Sequence, residues 1–85
     1  MYSNVIYTIT NLINGKKYVG QTTQGFKQRY REHLNRFHRG ERDHRLYQAF
    51  KKYGLNNFKW EVICQTTDKT LLNTLEIFFI NYLAV

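Results

Sequence analysis

Eighty-five residues and 10.3 kDa fit one domain and leave no room for two. Hydrophobic residues make up 42% and aromatics 16%, enough for a packed core, which excludes a disordered chain. The formal charge of +7 is polarised, with 12 basic and three acidic residues over 16–59 but one and three over 60–85, so a face presented to nucleic acid is favoured over a basic surface with no partner.

In chain order, Val5-Ile6-Tyr7-Thr8-Ile9 is rich in strand formers, and Lys16-Lys17-Tyr18-Val19 reads as its partner across Asn14-Gly15, the strongest short hairpin signal. A two-residue loop would set Asn11 opposite Tyr18 and Ile9 opposite Gly20. Strand alternation then brings Tyr7, Tyr18 and Gly20 out on one sheet face. Phe26, Tyr30, Leu34 and Phe37 recur at helical spacing, which predicts a first helix over 25–38. Asp43 is the expected N-cap of a second helix with Leu46, Ala49, Phe50 and Tyr53 on one stripe, closed by Gly54. Residues 58–64 read as a third strand. Thr67 or Asp68 caps a last helix whose apolar set is Leu71, Leu72, Leu75, Phe78, Phe79 and Tyr82. The predicted class is α+β: a small three-stranded antiparallel sheet packed with three helices, in the order β-β-α-α-β-α.

Several chemistries are excluded. Cys64 is the single cysteine, so neither an internal disulfide nor a cysteine-based zinc finger is available. The longest apolar stretch, 71–85, is broken by Asn73, Glu76 and Asn81 and falls short of the roughly 20 residues of a membrane span. The N-terminus lacks a signal-peptide layout, so an intracellular domain with no membrane association is expected. The five glycines form no phosphate-cradling loop, and no Ser/His/Asp or Cys/His pairing suggests acyl transfer.

What remains is a small set of candidates. Tyr7 and Tyr18 share a face, which fits packing as well as chemistry. Arg29 and His33 are four residues apart and stack on one side of the first helix. His33 lies inside the apolar stripe, as a satisfied core histidine or a proton relay; Arg29 lies on its flank, as an ordinary basic residue or a bidentate phosphate clamp. Glu76 is the one acid in Leu71–Ile80. It points to water or, as an oxygen ligand, holds a hard cation that takes its other ligands from waters and phosphates. Lys16, Lys17, Gly20, Arg31, Arg36, Arg39 and His44 are the candidates for substrate binding.

Together these residues resemble the GIY-YIG nuclease family. Its first signature corresponds to Val5-Ile6-Tyr7 and its second to Tyr18-Val19-Gly20. Its helix pattern corresponds to Arg29 and His33, its lysine-tyrosine-glycine segment to Lys52-Tyr53-Gly54 followed by Phe58, and its glutamate helix to the residues around Glu76. The resemblance implies metal-dependent hydrolysis of DNA phosphodiester bonds at a single-metal site. On it, Glu76 would hold Mg²⁺ or Mn²⁺ and Arg29 would stabilise charge on the scissile phosphate. Tyr7 would be a general base or water-orienting phenol helped by His33 and Lys17, and Tyr18 would bind phosphate or position the water. An ordinary phenol has a pKa near 10, so a base role needs cations nearby.

Two departures stand out. Val5 replaces the first signature glycine, and the chain stops at Val85, before the glycine-tyrosine-asparagine segment and DNA-recognition region into which family members continue. Two alternatives therefore stand beside an endonuclease: a non-catalytic nucleic-acid-binding module, which has no use for Glu76, and a degenerate nuclease fold kept for interaction.

Overall fold

The structure is a computed structural model that describes residues 4–41 and 45–83. Strands β1 (Asn4–Asn11), β2 (Lys17–Thr22) and β3 (Phe58–Thr66) form one antiparallel sheet in the order β2-β1-β3. Helices α1 (Phe26–His38) and α2 (Arg45–Tyr53) lie between β2 and β3 in sequence, and α3 (Leu72–Leu83) follows β3. The predicted class and element order are both observed.

Alternation along β1 sorts the core into two halves. Tyr7 and Ile9 pack with Leu46, Tyr47 and Phe50 of α2 and with Phe26 and Phe37 of α1. Ile6 packs on the opposite face with Val19 and with Leu72, Leu75 and Phe79 of α3. The helices thus cover both faces of the sheet. None of the described helices is long and apolar enough to cross a membrane.

The hairpin corrects the expected register by two residues. Ile9 pairs with Tyr18 and Tyr7 with Gly20. The connection is a four-residue loop, Leu12 to Gly15, closed by Gly15 N donating to Asn11 O at 2.7 Å and Asn11 N to Lys16 O at 2.8 Å. A two-residue Asn-Gly turn of the tight type needs positive φ at both positions; here Gly15 has φ 77° and Asn14 is not in the left-handed region. Asn11 Oδ1 instead accepts from Ile13 N at 2.8 Å, an Asx turn that starts the loop early. A shift of two keeps side-chain parity, so Tyr7, Tyr18 and Gly20 still share one face.

The corrected register makes Gly20 the floor under Tyr7. A Cβ built at Gly20 would lie 2.5 Å from both Cζ and Oη of that ring. Gly20→Ala is therefore expected to cost about 1–3 kcal/mol of stability through overpacking. The check is a lowered urea midpoint at unchanged m-value; an unmoved midpoint would mean the ring has room to shift.

β3 carries a bulge opposite Ile6 and Tyr7, which pair with Cys64 and Val62 and leave Ile63 extra. Before the bulge Phe58 and Trp60 face the Tyr7 side; beyond it Ile63 and Cys64 both reach the Ile6 side. This accounts for a strand that alternates and then turns apolar, and that runs to Thr66 rather than stopping at 64.

The helix ends follow their signals. Gly25, with φ 87°, precedes α1, and Gly54 closes α2 by donating to Phe50 O at 2.9 Å. Asp68 caps a short 3-10 turn (Lys69–Leu71) leading into α3, accepting from Thr70 N. Asp43, the expected cap of α2, lies outside the described residues, as do Arg42 and His44. Of the apolar set expected inside α3, Leu72 is buried and Leu75 and Phe79 are half-buried, whereas Leu71, Phe78 and Tyr82 are exposed.

Candidate active site

The Tyr7 ring is pinned on the central strand, 1% exposed. α1 crosses above it and lowers His33, 2% exposed, onto its hydroxyl. Tyr7 Oη and His33 Nε2 are 3.0 Å apart, and His33 Nδ1 lies 2.8 Å from the Tyr47 hydroxyl on α2. One turn back along α1, Arg29 Nε donates to Tyr7 Oη at 3.4 Å while its Nη1 donates to Glu32 at 3.2 Å. One of the two neutral tautomers of His33 gives every proton in this chain an acceptor. Arg29 donates to the phenol oxygen, the phenol proton goes to Nε2, and Nδ1–H goes to Tyr47. His33 is thus a buried histidine with both nitrogens engaged, and at the same time the proton neighbour of Tyr7.

Burial pushes the Tyr7 phenol up to about 12, with the Arg29 hydrogen bond pulling the other way and the charges of Tyr18 and Glu76 adding to the rise. Tyr18 is half-buried, edge-on to His33 at 6.3 Å between ring centres. Burial raises its pKa too; Arg29 opposes the rise and Glu76 adds to it. The hydrogen bond to Tyr7 leads the causes that push the Arg29 guanidinium above its ordinary value. At neutral pH both phenols are therefore protonated and Arg29 is charged.

Glu76 arrives from the other side of the sheet. α3 packs on the Ile6 face, and β2 is an edge strand, so a residue at that edge communicates with both faces. Gln21 on β2 holds it there: its Nε2 donates to Glu76 Oε1 at 3.2 Å and to Asn73 Oδ1 at 2.6 Å. The carboxylate makes no direct bond to Tyr7 or Tyr18, yet its charge acts on both. Gln21 also lines, with Thr22, Thr23, Gln24, Arg29 and Glu32, a polar depression of about 350 Å³.

Other candidates are dispersed. Lys17 donates to Thr10 Oγ1 at 3.0 Å on the Ile6 face, so it is not brought to the Tyr7 hydroxyl. Gly20 is buried beneath the Tyr7 ring. At about 100° per residue, Arg36 shares the flank of Arg29, whereas Arg31 points to the outer side of α1; both are exposed. Arg39 is exposed and paired with Glu41 at 3.2 Å. Lys16 is exposed at the end of the hairpin loop. His44 lies outside the described residues.

Two residues of the site were not singled out from the sequence. Tyr47 sits beside the apolar stripe of α2, and only contact with His33 distinguishes it. Gln21 follows the second signature directly, but its tie to Glu76 spans 55 positions.

The donor set fits one hard divalent ion. Among the described residues no three His, Cys, Asp or Glu side chains cluster as a metal cage. One carboxylate with the Asn73 amide oxygen near it, both held by the Gln21 NH2 group, suits Mg²⁺, which keeps several waters and takes its remaining ligands from phosphates.

The sequence profile of the GIY-YIG catalytic domain matches residues 3–84. Among solved structures, the catalytic domain of homing endonuclease I-TevI is similar, at 29% identity and a TM-score of 0.82, over 94% of this chain and 87% of that one. A Glu-to-Ala mutant of the catalytic domain of intron endonuclease I-TevI is similar at the same identity and TM-score, over 98% and 84%. No significant match was found among curated proteins.

Proposed function

Because the chain belongs to the GIY-YIG catalytic domain family, we propose that it is an endonuclease hydrolysing DNA phosphodiester bonds with the help of one divalent metal ion, Mg²⁺ or Mn²⁺. The observation that supports this reading is Arg29 bonded to the Tyr7 hydroxyl with Glu76 tied to the neighbouring edge strand by Gln21, the charges of both acting on Tyr7 and Tyr18. A fold kept only for binding needs basic residues; it does not need a buried tyrosine–histidine–tyrosine chain with a carboxylate at its edge.

Hydrolysis forms one bond from a water oxygen to phosphorus, breaks the bond to the leaving oxygen, and moves one proton from the former towards the latter. Arg29 supplies positive charge where the phosphoryl oxygens gain negative charge. Its Nε is on Tyr7 and its Nη1 on Glu32, and the residue lines the polar depression, where it would meet a phosphate. Tyr7 orients the attacking water through its hydroxyl. With a pKa near 12 it does not act as a free phenolate at neutral pH. Acting as a base requires its proton to pass to Nε2 of His33, whose Nδ1–H Tyr47 holds. Tyr18, at the mouth of the site, binds phosphate. Glu76, fixed by Gln21, would hold the metal ion, which when bound polarises phosphoryl oxygens and lowers the pKa of water.

The test is a supercoiled plasmid incubated with the protein. Nicking is expected with Mg²⁺ or Mn²⁺ and none with EDTA. A plasmid shifted in a gel but uncut with either metal would favour the binding-module reading instead.

A further inference from the structure

On the Tyr7 side of the sheet, a second concavity of about 480 Å³ runs between the β1–β2 hairpin and α2. Tyr18 lines it and, through its contact with His33, joins it to the candidate active site. From the hairpin wall comes Lys16; from the α2 wall come Arg45, Lys52 and Tyr53. Arg45 and Lys52 are two helical turns apart and fall on the same side of α2. No Asp or Glu among the described residues lines the cleft. Among the described residues, the ion pairs formed elsewhere do not include Lys16, Arg45 or Lys52. Lys52 Nζ lies over the Tyr53 ring, 5.2 Å from its centre.

Opposed cations across a cleft with aromatic walls match a nucleic-acid strand: the cations take backbone phosphates and the rings take base faces. The rings restrict the ligand further. Tyr18, Tyr53 and Phe58 line the cleft, and base faces are free to stack on such rings only where a strand is unpaired; about 480 Å³ has room for one nucleotide. We propose that the cleft binds a single, unpaired DNA strand adjoining the scissile phosphate, with Lys16 on one wall and Arg45 and Lys52 on the other holding its phosphates. The proposal rests on the endonuclease reading for the position of the scissile bond. It goes beyond that reading by requiring that DNA be unpaired beside the cut.

Binding measured in EDTA separates the two ideas. Fluorescence anisotropy of a short labelled single-stranded DNA, over a salt series, would compare the wild type with Arg45→Glu/Lys52→Glu and with a charge-matched control, Lys27→Glu/Lys51→Glu. The cleft variant is expected to lose about tenfold in affinity, with the slope of log K against log salt shallower by about 1.4 for two lost phosphate contacts. The control keeps the slope. Equal losses in both variants, unchanged binding in the cleft variant, or tighter binding of duplex or of RNA of the same sequence would overturn the proposal. Loss confined to the cleft variant in a protein that cuts no plasmid would leave the cleft standing and refute the hydrolytic reading; unchanged binding in a protein that does cut would do the reverse.

Discussion

Arg29→Ala is expected to lower cleavage by about 10²–10³-fold, the usual cost of removing one positioned donor from a developing oxyanion. Arg29 bridges Tyr7 and Glu32, and its hydrogen bond is the largest influence pulling the Tyr7 pKa down. Its loss therefore has a second signature. With the guanidinium gone, the Tyr7 phenol is pushed further up, measurable by NMR of ring-labelled tyrosine. Arg29→Lys restores the charge but not the planar fork, so one ammonium serves either the phenol or a phosphate and only part of the activity returns. Full cleavage by the alanine variant would remove Arg29 from the chemistry.

Glu76→Ala carries the opposite electrostatic sign. On the proposed metal-holding role of Glu76, its loss forfeits several kcal/mol of charge stabilisation, about 10³-fold in rate at about 1.4 kcal/mol per decade. The Glu76 charge raises the pKa of Tyr7 and Tyr18, so in this variant both phenols titrate lower. DNA binding in EDTA holds or tightens, because a negative charge has left the site. A rate deficit with an unmoved tyrosine titration would show that Glu76 acts elsewhere. The two substitutions thus agree in cleavage and disagree in titration, which a merely unfolded protein does not reproduce.

Much of this site was legible because strand and helix periodicities are short-range. Tyr7, Tyr18 and Gly20 share a face by parity alone, and parity survived the two-residue error in register. Arg29 and His33 meet Tyr7 because four residues along a helix return to the same side. What stayed hidden depends on non-local or competing effects. The hairpin loop is longer than Asn14-Gly15 suggests because the Asn11 side chain captures Ile13 N first. The bulge at Ile63 is set by the two cores that β3 must serve. Tyr47 becomes part of the site only when α2 docks beneath α1. Nor does an apolar helix announce which side it buries: Phe78 and Tyr82 of α3 stack on each other at the surface.

That uneven burial has a consequence for how the site comes apart. Tyr7 belongs to a strand hydrogen-bonded along both edges, the last kind of segment to open. Glu76 rides on a helix with Leu72 as its one fully buried residue, the kind that detaches first. Under mild denaturing stress the carboxylate therefore departs while the phenols keep their places, and catalytic competence ends well before the β-sheet melts.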